Sequence, residues 1–243
     1  MTWTDKPLVG FDVETTGVDP ETDRIVTAAV VRYGGGQPNQ VRTWIADPGV
    51  EIPAEATKVH GFTTEAARTA GRPAGAVVGE IVAALVELVD EGFPLVVMNA
   101  PFDLTMLEAE AERHGVESLF ASSVPMVLDP RVLDKHVDQY RPGGRRLEDL
   151  CRHYVVPLDA AHDSGADAVA ACGVTWKIAN RHRWMTRTPL EELHERQVYW
   201  AAEQQAGLRD YFARTPGKEH RALTVRGDWP LIPPMRPGVW ADA

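Results

Sequence analysis

Apolar and polar positions alternate from Leu8 to Glu14, which predicts a strand with one buried face. The β-branched run Arg24 to Tyr33 predicts a second strand. Gly34 to Gly36 then turn the chain, and Gln40 to Ile45 predicts a third. Connections this short join antiparallel neighbours, so the chain opens as a meander. Farther on, the period changes. A short helix is expected over Thr63 to Thr69. Ala76 to Glu91 places apolar residues at helical spacing and predicts a longer one. Pro94 to Met98 is a brief apolar run, read as a buried strand, and Val124 to Leu128 is read the same way. Phe102 to His114 predicts a helix stopped by Gly115. Leu147 to Tyr154 and Ser164 to Ala179 also carry helical patterns. A meander followed by alternating strand and helix predicts an α/β fold, a mixed sheet flanked by helices.

Near Asn180 the character changes. RHRWMTR is a basic connector, and Pro189 to Arg214 is one long helical pattern carrying Leu190, Leu193, Trp200, Leu208 and Phe212. The final DWPLIPPMRPGVW cannot continue a helix, because proline removes the donor and fixes φ. It is expected to lie on the domain as an extended strap. The division is therefore a domain over residues 1–183 and a helical, proline-rich extension over 184–243.

Composition narrows the class. A chain of 243 residues can bury a sizeable core, and its formal charge of −10 argues against a protein that coats nucleic acid generally. The N-terminus lacks a basic stretch followed by an apolar run, and no stretch approaches the ~20 apolar residues of a membrane helix. A soluble, cytoplasmic protein with no membrane partner is expected. Two cysteines, Cys151 and Cys172, sit outside any CxxC pair and read as buried small hydrophobes in a reducing compartment.

The chemistry lies in FDVETTG, NAPFDLTML and HDSGAD. Asp12 and Glu14 are two apart on a strand and share a face. Two acids side by side on a mostly buried strand raise each other's pKa, and a divalent cation removes that cost. Asp103 and Asp167 each fall in the first turn of a helix, where the helix dipole favours an acid. Capping alone would also explain those two, as a solvated strand face would explain the first pair. Taken together, four carboxylates carry −4, which two Mg²⁺ balance. All-oxygen ligation suits Mg²⁺ or Mn²⁺ rather than Zn²⁺. Two such ions can hold both the attacking and the leaving oxygen of a phosphodiester. His162 sits just before the helix of Ser164 to Ala179, and a neutral histidine there can take a proton from the attacking water.

This ordered set resembles the DEDDh 3′–5′ exonucleases, a family that includes the proofreading epsilon subunit of DNA polymerase III and ribonuclease T. The resemblance runs from about Leu8 to about Ile178 and includes Val59-His60-Gly61. His162 and Asp167, with four residues between them, match the histidine branch of the family. The resemblance implies a ribonuclease-H-like fold with a five-stranded mixed sheet. It also implies that Asp12, Glu14, Asp103 and Asp167 hold two metals, and that His162 is the general base. Two departures stand out: Met98 replaces a common histidine, and Asp163 adds negative charge where arginine or leucine is usual. By the same resemblance His60 contacts the substrate end, the alternative being that it only packs in a turn. Asn99 is grouped with the substrate-binding positions. Thr15 either lends its backbone N–H to the terminal nucleotide or caps the turn. Phe102 either stacks on a sugar or base or joins the core.

The function expected is release of nucleoside 5′-monophosphates from the 3′ end of single-stranded DNA, with a DNA polymerase subunit as a partner. The alternatives are RNA 3′-end trimming and a non-catalytic polymerase accessory. Arg141, Arg145 and Arg146 form the best local basic patch, against an ordinary exposed loop. Gln205 to Phe212 loosely resembles a sliding-clamp peptide, but inside an amphipathic helix its apolar residues are expected to be core.

Overall fold

The computed structural model describes residues 2–158 and 161–233. Its sheet contains β1 (Pro7–Thr15), β2 (Ile25–Gly34), β3 (Gln40–Asp47), β4 (Arg72–Pro73), β5 (Leu95–Val97) and β6 (Val127–Leu128), in the order β4-β3-β2-β1-β5-β6. The β1–β2 and β2–β3 pairs are antiparallel; β1–β5, β5–β6 and β3–β4 are parallel. This is the mixed sheet expected from the sequence, with a sixth, two-residue strand added at one edge. The helices, in chain order, are α1 (Ala54–His60), α2 (Thr64–Ala70), α3 (Ala74–Asp90), α4 (Ala100–His114) and α5 (Leu119–Ser122), then α6 (Pro130–Val137), α7 (Leu147–Tyr154), α8 (Ser164–Arg181), α9 (Trp184–Arg187), α10 (Leu190–Arg214) and α11 (Glu219–Ala222).

The alternation along β1 divides the interior. Val9, Phe11 and Val13 join Ile81, Leu85, Leu104 and Leu107 of α3 and α4 in one core. Leu8 joins Val96, Leu128, Leu150 and Cys172 in the second, beneath α7 and α8. Both described cysteines are free and buried, as read from the sequence. Among the described residues no helix is long and apolar enough to cross a membrane.

The C-terminal helix completes the sheet's open edge. Strand β6 has one neighbour, and α10 lies along its other side. His194 Nδ1 accepts the Val127 N–H (3.0 Å). Gln197 Nε2 donates to Val127 O (3.0 Å), and Gln197 Oε1 accepts the Asp129 N–H (2.8 Å). Side chains thus pair the backbone groups that a strand edge leaves exposed. After α11 the chain folds back. Trp229 enters the α3–α4 core, and Ile232 N donates to Thr105 Oγ1 of α4 (2.9 Å). The expected strap begins here, and its part beyond residue 233 lies outside the described residues.

Three local expectations are corrected. The Phe102–His114 helix begins at Ala100, because Asn99 adopts left-handed backbone (φ 62°) and Pro101 sits in the first turn, where its missing N–H costs nothing. The strand expected from Val124 shrinks to Val127–Leu128. Arg141 and Arg145 are not a free loop: both pair with buried Asp134, at 2.9 and 2.8 Å.

Gln197 is fully buried and has no substitute at the strand edge. Gln197→Ala should strand the Asp129 N–H and the Val127 carbonyl and cost about 2–4 kcal/mol. Urea denaturation measures this. A loss below ~1 kcal/mol would show that the edge does not depend on this side chain.

Candidate active site

The site forms at the C-terminal end of β1. On the face toward α8, β1 presents Leu8, Gly10, Asp12 and Glu14 in turn. Gly10 sets the distance between the two elements. A Cβ there would lie 2.7 Å from Ala168 O and 2.9 Å from Cys172 Sγ, so only glycine lets α8 lie this close to β1. The approach brings Asp167, in the first turn of α8, to the two strand acids. Asp163 caps that helix by accepting the Ala166 N–H (2.9 Å). His162, directly before the cap, takes left-handed backbone (φ 67°) and donates its N–H to Asp167 Oδ2 (3.2 Å).

Asp103 enters from α4. It is 4% exposed, and its Oδ1 accepts the Val13 N–H (3.1 Å), which ties the helix to the centre of β1. Glu14, His162 and Asp167 each offer a ligand atom within 4.8 Å of the others'. Asp12 and Asp103 lie outside that tight group but are electrostatically part of it. Burial pushes the Asp12 carboxyl well up, and the charges of Asp103, Asp167, Glu14 and Asp163 push it further. Burial also raises Asp103 well up, against the opposing Val13 hydrogen bond. Burial and the neighbouring Asp167 and Asp163 raise Glu14 to about 7. Asp167 is raised by burial despite its bond to His162, and its Oδ1 is buried without a hydrogen-bond partner. A buried acid oxygen with no donor, inside a cluster of like charges, is a cation ligand in waiting. The donor set therefore fits hard divalent cations, which oxygen ligands favour.

The other expected residues stand around this cluster. Thr15 is buried, and its Oγ1 donates to Gly17 O (2.6 Å), holding the turn after β1. Thr16 Oγ1 donates to Asp23 Oδ1 (2.8 Å), and Arg113 donates to Pro20 O and Glu21 O, so the same loop is pinned from α4. His60 ends α1. Its Nδ1 accepts the Phe62 N–H and its Nε2 is buried without a hydrogen-bond partner; burial lowers its pKa, the Thr15 backbone opposes that shift and the nearby His162 adds to it. Asn99 Oδ1 accepts from Arg131 Nη1 (2.7 Å). Phe102 is half-buried against the α3–α4 core.

Two residues escaped sequence reasoning. Asp129 is buried at the end of β6 and accepts the N–H groups of Asn99, Ala100 and Arg131, fixing the start of α4. Its signal was local, an Asp-Pro pair closing an apolar run, the pattern of a helix cap. Glu148 of α7 places Oε1 3.9 Å from His162 Nε2, and no pattern in the sequence marked it.

The RNase_T family model, described as an exonuclease, matches residues 9–175. The chain belongs to this exonuclease family. It is 35% identical over 168 residues to a DNA polymerase III subunit epsilon-like protein of Rhodobacter capsulatus, across 67% of this chain and 22% of that one. It is 31% identical over 163 residues to a PolC-type DNA polymerase III of Streptococcus thermophilus, across 67% of this chain and 10% of that one. The chain thus spans about a fifth of the first relative and a tenth of the second. In fold it is similar to exonuclease I (TM-score 0.64, 19% identity, 75% of this chain and 42% of that one) and to E. coli exonuclease I in complex with a dT13 oligonucleotide (TM-score 0.62, 20% identity, 74% and 42%).

The raised carboxylates set the pH dependence of the metal-free protein. A carboxyl whose folded pKa is raised keeps its proton after the unfolded chain has released it. Stability therefore falls as pH rises, from about 4.5 to about 7 for Glu14. In EDTA the Tm should drop across that window, and Mn²⁺ at pH 7.5 should restore it. Asp12→Asn should raise the metal-free Tm at pH 7.5 and blunt the response to Mn²⁺. Differential scanning fluorimetry reads both, and a metal-free Tm that rises with pH would contradict the repulsion.

Proposed function

We propose that the chain is a metal-dependent 3′–5′ exonuclease that releases nucleoside 5′-monophosphates from single-stranded DNA ends. The observation that carries the reading is the gathering of Asp12, Glu14, Asp103 and Asp167 with His162 at one strand end, their carboxyls raised by burial and by one another. In this reading the four carboxylates hold two Mg²⁺ or Mn²⁺ ions. When bound, the ions supply positive charge for the phosphodiester and for the charge that develops on it. His162 takes the proton of the attacking water on a ring nitrogen, and its half-exposed side chain leaves room for that water. Thr15 and His60 hold the terminal nucleotide from one side, Asn99 and Phe102 from the other. Residues 1–183 carry the chemistry, and α10 of the extension over 184–243 supports them by covering the edge of β6.

DNA is preferred over RNA by analogy: the structural neighbours include an exonuclease bound to dT13, and the sequence relatives carry DNA polymerase III names. The same names make a polymerase subunit the partner of choice. Buried free thiols at Cys151 and Cys172 accord with a cytoplasmic setting.

The test is digestion of end-labelled single-stranded DNA, duplex DNA and RNA with Mg²⁺, Mn²⁺ or EDTA. Mononucleotides should leave the 3′ end from the first time point, fastest from single-stranded DNA, and EDTA should stop the reaction. His162→Ala should lose roughly 10²–10⁴ in kcat while its Tm still rises with Mn²⁺. Shortening from the 5′ end, or cleavage of a circular single strand, would refute the assignment. Faster trimming of RNA would move the substrate class.

A further inference from the structure

A groove of about 790 Å³ opens between α6 and α10, within the ~300–1,000 Å³ range of sites that take up sizeable ligands. Its charge runs against that of the chain as a whole. In a protein of formal charge −10, the groove is lined by Arg131, Lys135 and Arg145 against one acid, Glu203. The positive charge is only partly neutralised from behind. Arg141 and Arg145 share the single carboxylate of Asp134, which leaves one guanidinium in excess. Burial makes the Lys135 ammonium easier to deprotonate, and the nearby Arg145 adds to this against the opposing charge of Asp134. An anion laid along this wall relieves that repulsion.

The groove also has an aromatic wall. Tyr211 lines it and is 54% exposed, although its place in the helical pattern predicted a core residue; Phe212, next to it, is the one that is buried. The Lys218 ammonium stands 5.5 Å from the Tyr211 ring centroid and adds positive charge there. Basic side chains alternating with an exposed aromatic ring are the arrangement that grips single-stranded nucleic acid, phosphates on the cations and a base on the ring.

Two residues of the groove wall connect it to the catalytic end of the sheet. Arg131 lines it and donates to Asn99 Oδ1, four residues before Asp103. Arg145 lines it too, and Arg146 begins α7, whose Glu148 lies 3.9 Å from His162. Helix α10, which forms one wall, lies wholly beyond the residues matched by the family model.

We propose that a single strand whose 3′ end lies at the carboxylate cluster continues along the α6–α10 groove, with phosphates on Arg131 and Lys135 and a base on Tyr211. The proposal rests on the exonuclease reading and extends it: the C-terminal helix supplies a binding track that favours longer strands over short ones. Lys135→Gln and Tyr211→Ala test it, since neither residue belongs to the cluster. Fluorescence anisotropy of labelled dT20 in Ca²⁺ measures binding. Hydrolysis of the p-nitrophenyl ester of thymidine 5′-monophosphate in Mn²⁺ measures the cluster alone. Lys135→Gln should weaken dT20 binding several-fold and reduce the slope of log K against log salt by about 0.7. Tyr211→Ala should weaken it by at least about fivefold, the loss of one stacked base. Both should hydrolyse the small ester at the wild-type rate. If both variants bind dT20 as wild type does, the track is overturned while ester hydrolysis leaves the exonuclease reading intact. If wild type cleaves neither substrate, the exonuclease reading fails, and the anisotropy of the variants still decides whether the groove holds the strand.

Discussion

The structure is organised around a repulsion. Four carboxylates converge at the end of β1 in surroundings dry enough to raise all of them above their ordinary range. No folding requirement brings such groups together, since each is costly to bury and costlier beside the others. The scaffold nevertheless enforces the meeting. Gly10 admits α8 to the surface of β1, the Asp163 cap fixes where α8 starts, and the bond from Val13 N to Asp103 fixes where α4 lies. Strain held in place by ordinary packing is what a site pays for being ready to receive cations.

The second organising element is a chain of hydrogen bonds from the C-terminal helix to the site. Gln197 of α10 holds the Asp129 N–H, and Asp129 in turn accepts the N–H groups of Asn99 and Ala100 at the start of α4. Asp103 lies one turn further along that helix. Residues outside the family match therefore support the position of a residue inside it. The edge strand, the helix start and the carboxylate form one hydrogen-bonded unit, which ties α10 to the candidate site.

Much of this was legible in the sequence because it is periodic. The alternation along β1 put Asp12 and Glu14 on one face, and long amphipathic stretches marked α3, α8 and α10. What escaped lacked periodicity. Helix α1 buries none of its residues, so it carries no apolar stripe to read. Strand β4 is two residues long and ends in proline. Strand β6 is so short that flanking loop residues were indistinguishable from it. Asp129 and Gln197 are polar residues in the interior, and their partners lie about 30 and 68 residues away, beyond any local window. Tyr211 shows the converse: a helical period alone could not tell the buried ring of Phe212 from the exposed ring beside it.

In the function proposed above, the carboxylate cluster binds a pair of divalent cations. Isothermal titration of Mn²⁺ into the metal-free protein near pH 7.5 tests it most directly. The account requires about two ions per chain, with protons released on binding because raised carboxyls must ionise to become ligands. It further requires that Asp167→Asn weaken this binding. Titration with no saturable heat and no proton release, or binding unchanged by Asp167→Asn, would contradict it.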